Sequence, residues 1–308
     1  MEKLIKVLKL SRSNLVNYIL ETFRNEDTIT DYDNYILIMR DETYPVLVCH
    51  IDTVHNDENP LFEERPIIVI NDYITSPKGL GADDRAGVYF LLEYGINYPV
   101  NLLFCNYEEC GGIGVKKLIK DHSEILKNSK CFIEIDRANI DEYVSYVENE
   151  IAFENIFKPY YKEAIGSYSD IYDLSSHYGI ASVNLSIGYK YQHTKKEILY
   201  PKIFEITNAK LSKILPLLER QYTCETFQTF SYNDIYNHDF DYYNYTIPFD
   251  YEYKYLYIHP YEVIQIENNL ISIFNYLTYD EKILTIEEAL KMKQLPKKLK
   301  REVKKWLR

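Results

Sequence analysis

Five residues able to hold a metal ion sit at or just beyond separate apolar runs of the sequence. His50 ends PVLVC, Asp83 follows the glycine-rich KGLGA, Glu109 follows VNLLFCNY, Asp136 ends KCFIEI, and His193 follows ASVNLSIG. Two neutral imidazoles with three carboxylates suit zinc, or the related ions cobalt(II) and manganese(II). Using all five requires two metals and one shared carboxylate, the donor set of a co-catalytic dinuclear hydrolase. The neighbouring residues add chemistry. His50 and Asp52 stand two apart on a strand, so they face the same way, and Asp52 can orient the imidazole. Glu108 and Glu109 are adjacent at a strand tip and point differently, so one can bind a metal while the other reaches a bound water. Each feature also has a plainer reading: a core His–Asp pair, an Asp-Asp helix cap, or two glutamates in a solvated loop. The arrival of all five at separate strand exits favours the catalytic reading.

The elements that must position these residues follow from periodicity. Strands are expected at 34–40, 45–51, 66–71, 100–107, 130–136 and 181–188, and helices at 12–24, 84–96, 114–122, 169–178 and about 202–219. Gly179 reads as a helix C-cap. Buried strands alternating with helices predict an α/β fold, with a mixed, mostly parallel central sheet and helices on both faces. In such sheets function gathers at the carboxyl ends of strands.

Composition narrows the class. The 308 residues can bury a full core, and 46% hydrophobic content marks a globular chain. A net charge of −12 argues against nucleic acid as a partner. No apolar run reaches the roughly 18 residues of a membrane span, and MEKLIKVLKLSRSN lacks the pattern of a signal peptide, so a cytoplasmic protein without membrane contact is expected. The five cysteines form no C-x-x-C pair and are expected as reduced thiols. Beyond residue 220 the composition shifts. Residues 221–258 are dense in Tyr, Asp and Asn, and about 260–308 reads as two or three short helices ending in the basic PKKLKREVKKWLR. A catalytic domain at 1–220 and an extension at 221–308 are therefore expected. The basic stretch reads as a solvated helix face, with an acidic partner or nucleic acid as the sharper alternative.

The motifs CHIDTV (49–54), GADDRAG (81–87), NYEECGGIGV (106–115), EID (134–136) and SYSDIYDLSSHYGIASVNLSIGYKYQHTKKE (167–197) resemble, in order, those of the co-catalytic zinc exopeptidases, the superfamily of peptidase T, the tetrahedral aminopeptidases and bacterial leucyl aminopeptidase. The resemblance implies a phosphorylase/hydrolase-like fold and peptide (amide) hydrolysis at two Zn2+ ions, with a peptide as substrate. It implies that Asp83 bridges the metals, that His50 and Asp136 complete one site, and that Glu109 and His193 complete the other. Asp52 then orients His50, Glu108 is the general base, and the Asp83–Asp84 peptide is cis. Asp84 keeps the structural part, opening the helix.

The layout departs from those relatives. Peptidase T inserts a lid domain between the fourth and fifth ligands, but here 193 − 136 leaves 57 positions. The tetrahedral enzymes insert a domain between the first His and the bridging Asp, but here 83 − 50 leaves 33. The inserted lid is therefore missing, and the extension could serve as a pocket wall, a protein-partner surface or a self-association surface. Two alternatives share the residues: an N-acyl amino acid deacylase, and a catalytically silent binding scaffold. Among the lesser candidates, His177 reads as a helix-end contact, His55 and His122 as surface residues, and Arg137 as either a substrate-carboxylate contact or a partner of an acid. Asp170 reads as a helix N-cap or a pocket residue, and His238 and His259 carry no assignment.

Overall fold

The computed structural model describes residues 1–225 and, farther on, three strands between 261 and 285. In chain order the elements are α1 Glu2–Lys9, α2 Arg12–Thr22, β1 Thr28–Asp31, β2 Tyr35–Ile38, β3 Val46–His50, β4 Ile68–Ile70, β5 Tyr73–Thr75, α3 Ala82–Glu93, β6 Asn101–Cys105, α4 Ile113–Asp121 and β7 Phe132–Arg137. There follow β8 Glu142–Val144, β9 Glu148–Asn149, α5 Ile151–Phe157, β10 Lys162–Glu163, α6 Asp170–Tyr178, β11 Ser182–Ser186, β12 Tyr189–Lys190, β13 Ile198–Leu199, α7 Lys202–Ile214 and β14 Cys224–Glu225. Every expected strand and helix up to residue 219 has its counterpart.

The main sheet has eight strands in the order β1-β2-β6-β3-β7-β11-β8-β10. Its centre, β6-β3-β7-β11, is parallel, while β1, β2 and β8 join antiparallel to their inner neighbours. VLVCH, NLLFC and SVNLS are buried along their whole length, as a sheet covered on both faces requires. Alternate side chains feed two apolar layers. Leu47, Cys49, Leu102, Phe104 and Ile133 pack with residues of α1, α2, α3 and α7, such as Leu8, Ile19, Phe90 and Leu211. Val46, Val48, Leu103, Cys105 and Phe132 pack with Val115 and Leu118 of α4 and Ile171 and Leu174 of α6. The parallel centre aligns the carboxyl ends of β3, β6, β7 and β11 on one edge; His50, Glu109 and Asp136 leave the sheet there and His193 follows β11 by way of β12, whereas Asp83, expected at a strand exit, lies instead in the first turn of α3.

Helix α3 is held under the N-terminal helices by a buried cation. Arg85 is fully buried; Nη2 donates to Asp57 Oδ2 at 2.7 Å, and Nη1 donates to Leu10 O at 2.8 Å and Val7 O at 3.3 Å. Breaking such a pair strands a charge away from water. Asp57→Ala is expected to lower unfolding stability by about 3–5 kcal/mol, read from denaturant melts of the two proteins; a change within the error of the melts would contradict it.

All five thiols are free, with Cys49, Cys105 and Cys131 buried. Gly179 is left-handed (φ 68°) just after α6, the expected C-cap. Strand β14 pairs with β9, so the pairing of this unit runs past residue 220. The second unit differs from expectation. Where short helices were expected, the chain forms β15 Tyr261–Glu267, β16 Leu270–Asn275 and β17 Asp280–Thr285, an antiparallel meander with Glu267 opposite Leu270 and Asn275 opposite Asp280. Runs such as VIQI and LISIF are rich in β-branched residues, which favour a pleated surface over a helix. The Tyr-rich stretch to 258 and the basic stretch after 295 lie outside the described residues.

Candidate active site

His50 is the last residue of β3 and is fully buried. Its Nδ1 lies 3.0 Å from Asp52 O and 3.5 Å from Asp52 Oδ1, which leaves Nε2 facing outward. Nε2 stands 3.1 Å from Asp83 Oδ1 and 3.5 Å from Asp136 Oδ1. His193 Nε2 stands 3.0 Å from Asp83 Oδ2 and 3.0 Å from Glu109 Oε1. The two oxygens of one carboxylate thus face two different imidazoles, each accompanied by a second acid. The structure brings all five residues together across 143 positions of sequence (193 − 50).

The local backbone explains the placement. Asp83 lies in the first turn of α3, after Gly79 (φ 96°) and Gly81 (φ 65°), whose left-handed conformations let the chain fold back from β5 into the helix. The Asp83–Asp84 peptide is cis. Asp84 is fully buried and turned toward the backbone: its carboxylate accepts N–H groups from Gly87 at 2.8 Å and His50 at 3.3 Å. It lies near His50 and Asp136, but these bonds engage both of its oxygens. The Asp52 carboxylate accepts the N–H groups of Glu108 at 3.1 Å and Glu109 at 3.3 Å. Asp52 therefore ties the β3 exit to the β6 exit as well as contacting His50. At the β7 exit, Tyr189 Oη donates to Asp136 O at 2.8 Å and stands 3.0 Å from Asp136 Oδ1.

The donors fit metal binding. Glu109 Oε1 is buried and stands 3.0 Å from His193 Nε2. The two atoms converge on a common point. A tetrahedral site with bonds of about 2.0–2.1 Å has ligand-to-ligand edges of about 3.3–3.4 Å, and the separations here run from 3.0 to 3.5 Å. Electrostatics agrees. Burial, then the charge of Asp83, pushes the Asp136 carboxyl up to about 6. Burial, followed by Asp136 and Glu109, raises Glu108 well above the usual carboxylate range. Burial opposes charge on His50, yet Asp136, Asp52 and Asp83 outweigh it and lift its pKa well above the ordinary value. Six buried or half-buried carboxylates (Asp52, Asp83, Asp84, Glu108, Glu109 and Asp136) share two imidazoles. Such a cluster calls for cations.

The remaining candidates separate. Arg137 is engaged by Glu142, with Nε at 3.2 Å and Nη2 at 3.0 Å from the same oxygen, so the acid-partner alternative is the one seen. His177 Nε2 lies 2.9 Å from Ser123 O in the last turn of α6. Ser169, not Asp170, occupies the N-cap position of α6; Asp170 is fully buried near Cys105, and burial pushes its pKa up to about 8. His55, expected at the surface, is instead half-buried: it packs beside Gly79 with Nε2 buried, 3.4 Å from Glu197. His238 and His259 lie outside the described residues. Sequence reasoning missed Glu197, Tyr189 and Arg65. Their types are ordinary, and only their distant contacts distinguish them.

Comparison with known proteins supports the fold. No protein-family model matches the chain, and no curated protein matches it in sequence. Solved structures do match. Aminopeptidase PepT of Bacillus cereus superposes with a TM-score of 0.52 at 14% identity, covering 71% of this chain and 98% of that one. A tripeptidase of Staphylococcus aureus gives 0.52 at 17% identity, over 70% and 97% of the two chains. An aminopeptidase of the archaeon Desulfurococcus kamchatkensis gives 0.52 at 13% identity, over 71% and 94%. The chain has the fold of these peptidases, as its resemblance to the co-catalytic zinc exopeptidases implied.

Proposed function

We propose that the protein is a metal-dependent peptidase, an aminopeptidase or small-peptide hydrolase that uses two zinc ions. The observation that carries this reading is Asp83, with Oδ1 3.1 Å from His50 Nε2 and Oδ2 3.0 Å from His193 Nε2. Asp83 would bridge the two ions, His50 and Asp136 would complete one site, and Glu109 and His193 would complete the other. The ions, when bound, supply a water of lowered pKa and polarise the scissile carbonyl. Glu108 is the proton carrier. It takes the proton of the attacking water and returns it to the leaving amine, so no covalent enzyme intermediate forms. Asp52 holds the backbone of Glu108 and Glu109 in place while it orients His50. Residues 1–220 form the catalytic part in this reading, and 221–308 is an extension available for a partner or for self-association.

Removing metal tests the reading directly. Treatment with a chelator is expected to abolish peptide hydrolysis and lower the melting temperature, because the ions bind only the folded state. Zinc in slight excess should restore both. Full activity in protein shown by elemental analysis to be metal-free would end the proposal. A digest of free-amine peptides beside N-acylated ones then defines the substrate end that is recognised.

Among the described residues, no helix is long and apolar enough to cross a membrane.

A further inference from the structure

We infer that Glu197 is a positioning residue of the metal centre, fixing the turn that presents Asp83. This rests on the assignment of Asp83 as a metal ligand. The Glu197 side chain is almost wholly buried. Its Oε2 accepts the N–H of Gly81 at 2.7 Å and its Oε1 accepts the N–H of Asp83 at 3.0 Å. The bonded residues lie 116 and 114 positions away in sequence. One carboxylate therefore satisfies two donors at the start of α3, including the amide of the proposed bridging ligand itself.

The same turn is gripped from its other side. Arg65, also buried, donates Nη2 to Leu80 O at 2.9 Å and Nε to Gly79 O at 3.2 Å. Acidic and basic side chains thus divide the turn between them, Glu197 taking its N–H groups and Arg65 its carbonyls. The grip is needed because Gly79 and Gly81 leave this backbone permissive. Glu197 also lies four residues after His193. The loop that carries one proposed ligand therefore holds the backbone of another, and His55 Nε2, 3.4 Å from Glu197, adds the β3 exit loop. A charge buried this deeply is costly where a neutral acceptor could cap a helix. What the carboxylate offers is two equivalent acceptors for two N–H groups.

The test is zinc affinity, measured by competition with a chromophoric chelator on the full chain, for wild type, Glu197→Gln and Thr75→Val. Glutamine keeps the shape but replaces one acceptor with an NH2 that faces an N–H. It is expected to weaken zinc binding about 10–100-fold, the usual effect of removing a group that orients a ligand. Thr75→Val removes the hydrogen bond from Thr75 Oγ1 to Glu197 O (2.8 Å), loosening the same loop without touching the carboxylate. It should bind zinc as wild type does. Wild-type affinity in Glu197→Gln overturns the inference, as does an equal loss in Thr75→Val. If Glu197→Gln does not fold, Glu197→Asp, whose carboxylate is drawn back by one methylene, carries the same expectation. A wild-type chain that binds no zinc overturns the metal-centre reading itself, and is a separate result from one in which wild type and Glu197→Gln bind equally.

Discussion

Glu108→Gln is expected to keep its metals and lose about 10²–10⁴-fold in kcat, the usual contribution of a positioned general base. The amide matches the carboxylate in shape but cannot accept the proton of the attacking water. The Glu108 contact that the structure shows being used for positioning is its backbone N–H to Asp52 at 3.1 Å, and that survives the substitution. Metal content by elemental analysis should therefore equal that of the wild type, and KM should change little. The pairing of the two measurements matters. Lost activity with lost metal would make Glu108 a ligand, whereas unchanged activity with metal bound would remove it from the mechanism.

Asp83→Asn should act on the metals first. Asparagine keeps one oxygen, but its nitrogen is a donor and cannot ligate. With Oδ1 facing His50 and Oδ2 facing His193, either amide orientation spoils one half of the pair. The variant is expected to lose at least one metal, and its peptide hydrolysis should fall to background. The turn should survive, because its grip by Glu197 uses the backbone N–H of residue 83. A folded Asp83→Asn protein holding both metals at wild-type affinity would show that another residue bridges. Circular dichroism beside the metal analysis distinguishes a damaged site from a damaged fold.

Much of the fold and of this site is legible in the sequence for a local reason. Apolar runs such as PVLVCH and VNLLFC mark buried parallel strands, and the polar residue ending each run marks an exit. Residue type then supplies the chemistry, so His50, Asp83, Glu109, Asp136 and His193 can be named before the fold is known. Failures occur where local signals are weak or conflicting. The short strands β8 to β10 carry two or three residues each, too few to show a period. Between 261 and 285, spacings that fit a helix coexist with a high content of β-branched residues, and pairing with neighbouring strands settles the outcome as sheet.

By itself, the sequence determined the donor types, their order along the chain and, for His50, Glu109 and Asp136, the strands that release them, because each depends on residues only a few positions apart. The tertiary structure alone decided the rest. It put Asp83 between two imidazoles, turned Asp84 onto the backbone, occupied Arg137 with Glu142, packed His55 beside Glu197 and set Glu197 on the turn before α3. Most of these join parts of the chain that are dozens to more than a hundred residues apart. Such contacts arise when the packed sheet aligns its strand ends, and no local pattern encodes which distant partner a buried carboxylate will meet.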